Sequence, residues 1–189
     1  VSTITAAASF NFSNPSYVAL YVGWDMIYDR FNDRNIYLPK NIFGAALMAR
    51  TDAIANTWDA PAGTTRGKIS SLGQNKLFNG TEIGILRDNN INTSKFIRGQ
   101  GGNFMWLQKT ALRKASALSD INVRRLLIYV ENSIENSLLP FVFESNNDKT
   151  RLRIKSILDG FLGQVASGGG FNTDIDAGFL VVCDRTNNT

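Results

Sequence analysis

Three groups of residues have types and spacings that could do chemistry. Asp25, Asp29 and Asp33 recur every fourth position and could gather round a hard cation. Arg30 and Arg34 are interleaved with them, so solvated ion pairs are the competing reading. Gly99-Gln100-Gly101-Gly102 offers backbone N–H groups to a phosphate. It lacks the Gly-Lys-Ser/Thr ending of a phosphate loop, and strand-like Phe104-Met105-Trp106-Leu107 follows where a helix would be needed, so a flexible loop is expected. The third group is basic. Arg124 and Arg125 open an otherwise apolar helix at its positive end, a conflict that calls for acceptors on another segment or subunit. Farther on come Lys149, Arg151, Arg153 and Lys155. Histidine is absent, which removes the commonest general base and metal ligand and with them any Ser-His-Asp or Cys-His machine. No Ser-x-x-Lys stands in a nucleophile-like setting. We expect no catalytic, cofactor-binding or metal site, and no enzyme.

The elements that must position these groups follow from periodicity and punctuation. Residues 17–22 (Tyr-Val-Ala-Leu-Tyr-Val) predict a strand closed by Gly23. The polar-interrupted aromatic stretch to Tyr37 predicts a hairpin or irregular crossing. Pro39 precedes small and apolar residues 42–49, predicting a helix mostly buried against a neighbour. Trp58 and Pro61 lie in a loop and are expected to anchor it in the core. Residues 68–78 are weakly strand-like, and 82–89 fit strand and helix equally poorly.

The clearest element is a helix from Ile121 to about Leu138, capped by Asp120. Val123, Leu126, Leu127, Val130, Ile134 and Leu138 form one stripe, with Ile121 and Ile128 on the opposite side. On it, Arg124 falls on the polar flank near Glu131, and Arg125 points away from the main stripe. Pro140 stops the helix, and Phe141-Val142-Phe143 reads as extended. A second helix from about Asp148 buries Ile154, Ile157, Leu158, Phe161, Leu162 and Val165, with Lys149 and Arg153 on one flank and Arg151 and Lys155 on the other. Glycines 168–170 end it, and residues 178–183 predict a final strand. This order implies an α/β or α+β fold, a mixed β-sheet flanked by helices.

With 189 residues and 43% hydrophobic content, the chain is long enough to bury about 70% of its unfolded surface round one core. Residues 1–16 read as a linker or arm remnant and 17–189 as a single domain. The apolar runs fall far short of the roughly 20 residues that cross a bilayer, so no membrane insertion is expected. No secretory leader is apparent, and the start at Val1 suggests a piece of a longer gene product. Cys183, the only cysteine, sits in an apolar run and is expected to be a buried thiol in a protein made in a reducing cytoplasm. Net charge is +4, yet the 20 Lys and Arg are scattered among 16 Asp and Glu, which argues against specific nucleic-acid binding.

Several stretches together carry a family resemblance. Gly44-Ala45-Ala46-Leu47-Met48-Ala49-Arg50-Thr51-Asp52 is followed by Thr57-Trp58-Asp59-Ala60-Pro61-Ala62-Gly63 and Arg66-Gly67. Then come Ile121-Asn122-Val123-Arg124-Arg125-Leu126, Phe141-Val142-Phe143-Glu144-Ser145-Asn146-Asn147 and Val181-Val182-Cys183-Asp184-Arg185-Thr186-Asn187-Asn188. In order and spacing this resembles the core of the contractile tail sheath proteins of myovirus-type bacteriophages. The chain departs where relatives have Glu-Pro-Asn and here Glu144-Ser145-Asn146 stands, and where residues 73–84 replace a longer strand and helix.

The resemblance implies a structural subunit of the virion, assembled in the bacterial host cytoplasm. Copies would form stacked hexameric rings or a six-start helical polymer, with tail tube, baseplate and tail terminator proteins as further partners. Arms missing from this core would add strands to a neighbour's sheet. Contraction would be a rigid-body rearrangement that drives the tube through the host envelope. Arg124 and Arg125 then become expected intersubunit or structural clamps, and Lys149, Arg151, Arg153 and Lys155 candidate tube or ring contacts. The alternatives are a sheath from a phage-like injection or secretion particle and a phosphate- or nucleotide-binding domain.

Overall fold

β-prone residues on either side of Asn32 and Asp33 build the longest ladder of the chain. Strands β2 (Trp24–Asp29) and β3 (Arg34–Pro39) pair antiparallel from Trp24 opposite Pro39 to Asp29 opposite Arg34. The turn between them needs a left-handed residue, and Asp33 supplies it at φ 47°. The computed structural model describes residues 11–174 and 176–187. It divides at Arg125 into two compact units, residues 1–125 and 126–189. Residues 1–10, most of the expected N-terminal linker, lie outside the described residues; Pro15–Tyr17 is a 3-10 turn.

In the first unit the α+β class holds, with the strands spread over three small sheets. β1 (Leu20–Tyr21) runs parallel to β6 (Ile91–Asn92), and β5 (Gly73–Gln74) extends the hairpin on the β2 side. β8 (Gly102–Met105) lies between β4 (Lys68–Ile69) and β7 (Ser94–Ile97). The strand expected over 17–22 shrinks to two residues because the chain is already turning at Pro15–Tyr17.

Helix α1 (Lys40–Ile54) starts directly after Pro39. It is not mostly buried: Lys40, Gly44, Leu47 and Thr51 form a single buried stripe and the opposite face meets solvent. Gly44 is required there, since a Cβ would lie 2.6 Å from the Tyr21 ring. A short helix α2 (Gly63–Arg66) ends at Gly67, where a Cβ would come within 2.7 Å of the Gly63 and Met105 carbonyls. Helix α3 (Gly80–Asp88) settles the ambiguous 82–89 stretch. Asn79 accepts from the Glu82 N–H and Glu82 accepts from the Asn79 N–H, a capping box that offsets helix-initiation cost. Ile83 and Leu86 of α3 pack with Ile91 and Leu107, and Leu47 of α1 packs with Ile69 and Met105.

Helix α4 (Ile121–Leu138) has the bounds that its periodicity predicts. The Asp120 carbonyl accepts from the Arg124 N–H, while its carboxylate pairs with Lys109 at 2.8 Å. In the second unit Pro140 ends α4, but residues 141–143 are not extended. A 3-10 turn (Leu139–Phe141) passes into helical backbone at Val142, because proline's fixed φ suits a tight turn as well as a strand. Helix α5 (Asp148–Ser167) is capped by Asn147, whose side chain accepts from the Thr150 N–H.

Only Leu162 and Val165 of the predicted α5 stripe are fully buried. Ile154, Leu158 and Phe161 are half-buried, and Ile157 is exposed. Phe161 meets Tyr129 of α4 with ring centroids 5.9 Å apart. Residues 178–183 form no strand among the described residues. Side chains satisfy the backbone instead: Lys155 donates to the Val181 carbonyl at 3.0 Å and Asn187 to the Val182 carbonyl at 2.6 Å. Cys183 is half-buried rather than buried. Among the described residues no helix is long and apolar enough to cross a membrane.

Candidate functional site

The motifs of the first unit are far apart in sequence and converge on the start of α4. Arg125, one turn into the helix, forms a two-oxygen ion pair with Asp52 near the end of α1. Asn122 donates to the Trp58 carbonyl at 3.3 Å and accepts from Gln108 at 3.0 Å. The Trp58 loop is braced in turn by Arg66, which donates to the Ala60 carbonyl at 3.0 Å and pairs with Asp59 at 3.5 Å. Pro61 is buried and Trp58 half-buried. The Asp52 carboxylate places negative charge at the helix end whose dipole opposes arginine.

Arg124 takes a different route from the one its place on the helix suggests. Its guanidinium stacks over Tyr17 at 4.2 Å, and it donates to the Tyr17 hydroxyl at 3.2 Å and the Ser16 hydroxyl at 2.9 Å. These partners, and not Glu131, receive it, because a guanidinium gains both stacking and hydrogen bonds from a tyrosine. The Arg124 Nε and Arg125 Nη1 groups remain buried without a partner among the described residues.

The basic flank of α5 separates into engaged and outward-facing members. Arg151 pairs with Asp148 at 2.6 Å, and Lys155 pairs with Asp159 at 3.0 Å. Arg153 is exposed with its guanidinium 5.7 Å from the Phe141 ring, and Lys149 is exposed. Asp148 also receives Arg185 at 2.6 Å, which joins the closing segment to the start of α5.

Hydrogen bonds from Arg185 and then Arg151 hold the Asp148 carboxyl down at about 2. A carboxylate depressed in the folded state stabilises it above the ordinary value of 3.8, and that contribution disappears as pH falls through the folded value. We therefore expect an NMR titration of Asp148 centred near 2, with the Arg185 anchoring lost over the same range. A midpoint near 3.8 would show that the ion pairs do not persist in solution.

The carboxylate ladder and the glycine run are built into turns. Asp29 accepts from the Phe31 N–H at 3.0 Å and from the Asn32 amide at 2.6 Å, while Asp33 accepts from the Tyr28 hydroxyl. No group of metal-ligating side chains stands together among the described residues. Arg98–Gln100 is a 3-10 turn and Gly101 is left-handed, joining β7 to β8 as a hairpin with no helix N-terminus to receive a phosphate.

Asp25 is no surface acid. It is fully buried, with the Lys40 ammonium 3.0 Å from both carboxylate oxygens and itself 1% exposed. Burial pushes Asp25 up and Lys40 down, against their mutual attraction. Sequence reasoning missed this pair. The available signal was Lys40 at i, i+4, i+7 and i+11 spacing with Gly44, Leu47 and Thr51.

A second missed residue is Asn92, fully buried, which joins β1 and β6 to the strand-like chain at Lys109. Its amide donates to the Leu20 carbonyl at 3.1 Å and the Lys109 carbonyl at 2.7 Å, and its oxygen accepts from the Lys109 N–H at 2.6 Å.

Comparison with known proteins gives consistent relatives. The tail sheath protein of Vibrio phage KVP40 is 37% identical over 164 residues, 85% of this chain and 23% of that protein. That of Enterobacteria phage T4 is 35% identical over 195 residues, 98% of this chain and 28% of that protein, and that of Salmonella phage ViI is 29% identical over 92% of this chain. The chain thus spans about a quarter of the length of these relatives. No family model matches it. Among solved structures, the fold is similar to the contracted PVC sheath complex of an extracellular contractile injection system, with TM-score 0.77, 24% identity, and coverage of 91% of this chain and 46% of that one. The contracted helical sheath of the anti-feeding prophage gives TM-score 0.72 at 23% identity over 85% of this chain and 44% of that one.

Proposed function

The chain belongs to the tail sheath proteins of myovirus-type bacteriophages, and from that premise we propose that it is the core of a sheath subunit that polymerises round a tail tube and contracts. What carries the proposal is the agreement of sequence kinship and fold over most of the chain. Residues 17–189 then act as the core domain of a longer subunit. Its partners are other copies of itself, the tail tube, the baseplate and the tail terminator, with assembly in the host cytoplasm and a final place in the virion. The role is mechanical, without catalysis or cofactor. Arg124 and Arg125 serve as clamps that keep the α4 start on the Ser16–Tyr17 turn and on the end of α1, beside the Asn122 bond to the Trp58 loop, while subunits move as rigid bodies. A phage-like injection particle is the second reading, favoured by the fold neighbours alone.

Electron microscopy of the intact gene product tests the function: striated rods or tubes are expected, and monodisperse globules under all conditions would refute it. Lys149 and Arg153 face outward from α5, so they are the members of the basic flank free to meet an acidic tube surface. Reversing both to glutamate should lower attachment to tubes by about tenfold at low salt while leaving folding intact. Undiminished attachment of the reversed protein would rule out this contact.

A further inference from the structure

Two phenylalanines stand wholly in solvent, Phe31 at 99% and Phe143 at 100% exposure, and unpaired charges of opposite sign accompany them. Phe31 is at the tip of the β2–β3 hairpin, beside exposed Arg30 and Arg34 that have no partner among the described residues. The two acids of the tip are tied into it, Asp29 by the Phe31 N–H and Asn32 amide, Asp33 by the Tyr28 hydroxyl. Tyr28 and Tyr37, from strands β2 and β3, widen the apolar surface behind the tip.

Phe143 lies in the turn after α4, next to exposed Val142 and Glu144. Glu131 and Glu135, both exposed, are i, i+4 neighbours on α4, and exposed Leu139 starts the turn that leads to Phe143. Residues 126–148 hold four acidic residues and no basic one.

The same contrast extends over the two units. The first unit holds 15 Lys and Arg against 8 Asp and Glu, the second 5 against 8. Aromatic residues and arginine are enriched at protein interfaces relative to the rest of the surface, with charged groups at the rim. Another copy of the same chain presents both halves of this complementary set.

We infer that the hairpin tip of one copy, Phe31 with Arg30 and Arg34, docks on the α4 turn of a second copy, Phe143 with Glu135 and Glu144. Because tip and turn are different surfaces, the contact is head to tail, which closes a ring or continues a helix instead of stopping at a dimer. The inference rests on the reading that the chain polymerises, and names the surfaces that do it.

The test uses the intact gene product in two charge-swapped forms, R30E/R34E and E135K/E144K, with polymer measured by pelleting and electron microscopy. All four side chains are exposed, and matching thermal melts by circular dichroism establish that each variant folds. Each variant alone should need about tenfold more protein to polymerise than wild type at low salt. A 1:1 mixture should recover the wild-type threshold, since each swapped surface then finds an opposite charge on the other variant. Raising salt should raise the wild-type threshold by screening these contacts. Either variant polymerising alone at the wild-type threshold, a mixture that stays soluble, or a wild-type threshold indifferent to salt would overturn the contact while leaving the sheath reading standing. Failure of wild type to polymerise in any salt would instead overturn the sheath reading.

Discussion

Changing Lys40 to methionine should lower the unfolding free energy by about 3–5 kcal/mol, because it leaves the Asp25 carboxylate buried without its counter-ion. The geometry makes the case severe: both oxygens of Asp25 lie 3.0 Å from the Lys40 ammonium, and no other side-chain donor reaches them among the described residues. Lys40 also crosses Gly23, where a Cβ would meet its Cε at 2.8 Å, so the side chain threads a slot that only glycine leaves open. Asp25→Leu combined with Lys40→Met should recover most of the loss, since replacing both partners by apolar groups is often neutral or better. Urea midpoints of the wild type, the two single variants and the double variant check this as a cycle. A Lys40→Met loss below about 1 kcal/mol would mean that the pair is hydrated in solution.

Replacing Asn92 with alanine should be nearly as damaging, roughly 2–4 kcal/mol, since it strands backbone groups of Leu20 and Lys109 at a buried site. The local signature is more specific than the global one. The Lys109 amide, which donates to Asn92 at 2.6 Å, should lose its protection from hydrogen exchange well before the neighbouring strands do. Asn92→Asp keeps that acceptor and loses both donated bonds, so it should protect the Lys109 amide yet still lower stability. Unchanged exchange at Lys109 in the alanine variant would show that water replaces the side chain there.

These two residues mark the limit of what could be read from the residue string. A lysine after Pro39 and an asparagine after Ile91 look like ordinary surface polar residues, and each is buried because a partner 15 or more residues away reaches it. The α4 helix was legible because its information is local: apolar residues at helical spacing and a stopping Pro140. The 82–89 stretch was not, since its apolar positions fit neither period, and a capping box between Asn79 and Glu82 decided it. Residues 178–183 misled for the opposite reason. Their β-propensity is high, but a strand needs a partner, and side chains took its carbonyls instead.

The arginine pair at the start of α4 shows the same division within one site. Residue order by itself determined that two cations sit at the positive end of a helix and require acceptors, since helix dipole and charge are properties of local sequence. It also determined the family, through strings whose order and spacing run along nearly the whole chain. Only the tertiary structure decided who the acceptors are. Asp52 lies 73 positions from Arg125 and Ser16 lies 108 from Arg124, separations at which no periodicity carries information and only packing brings the groups together.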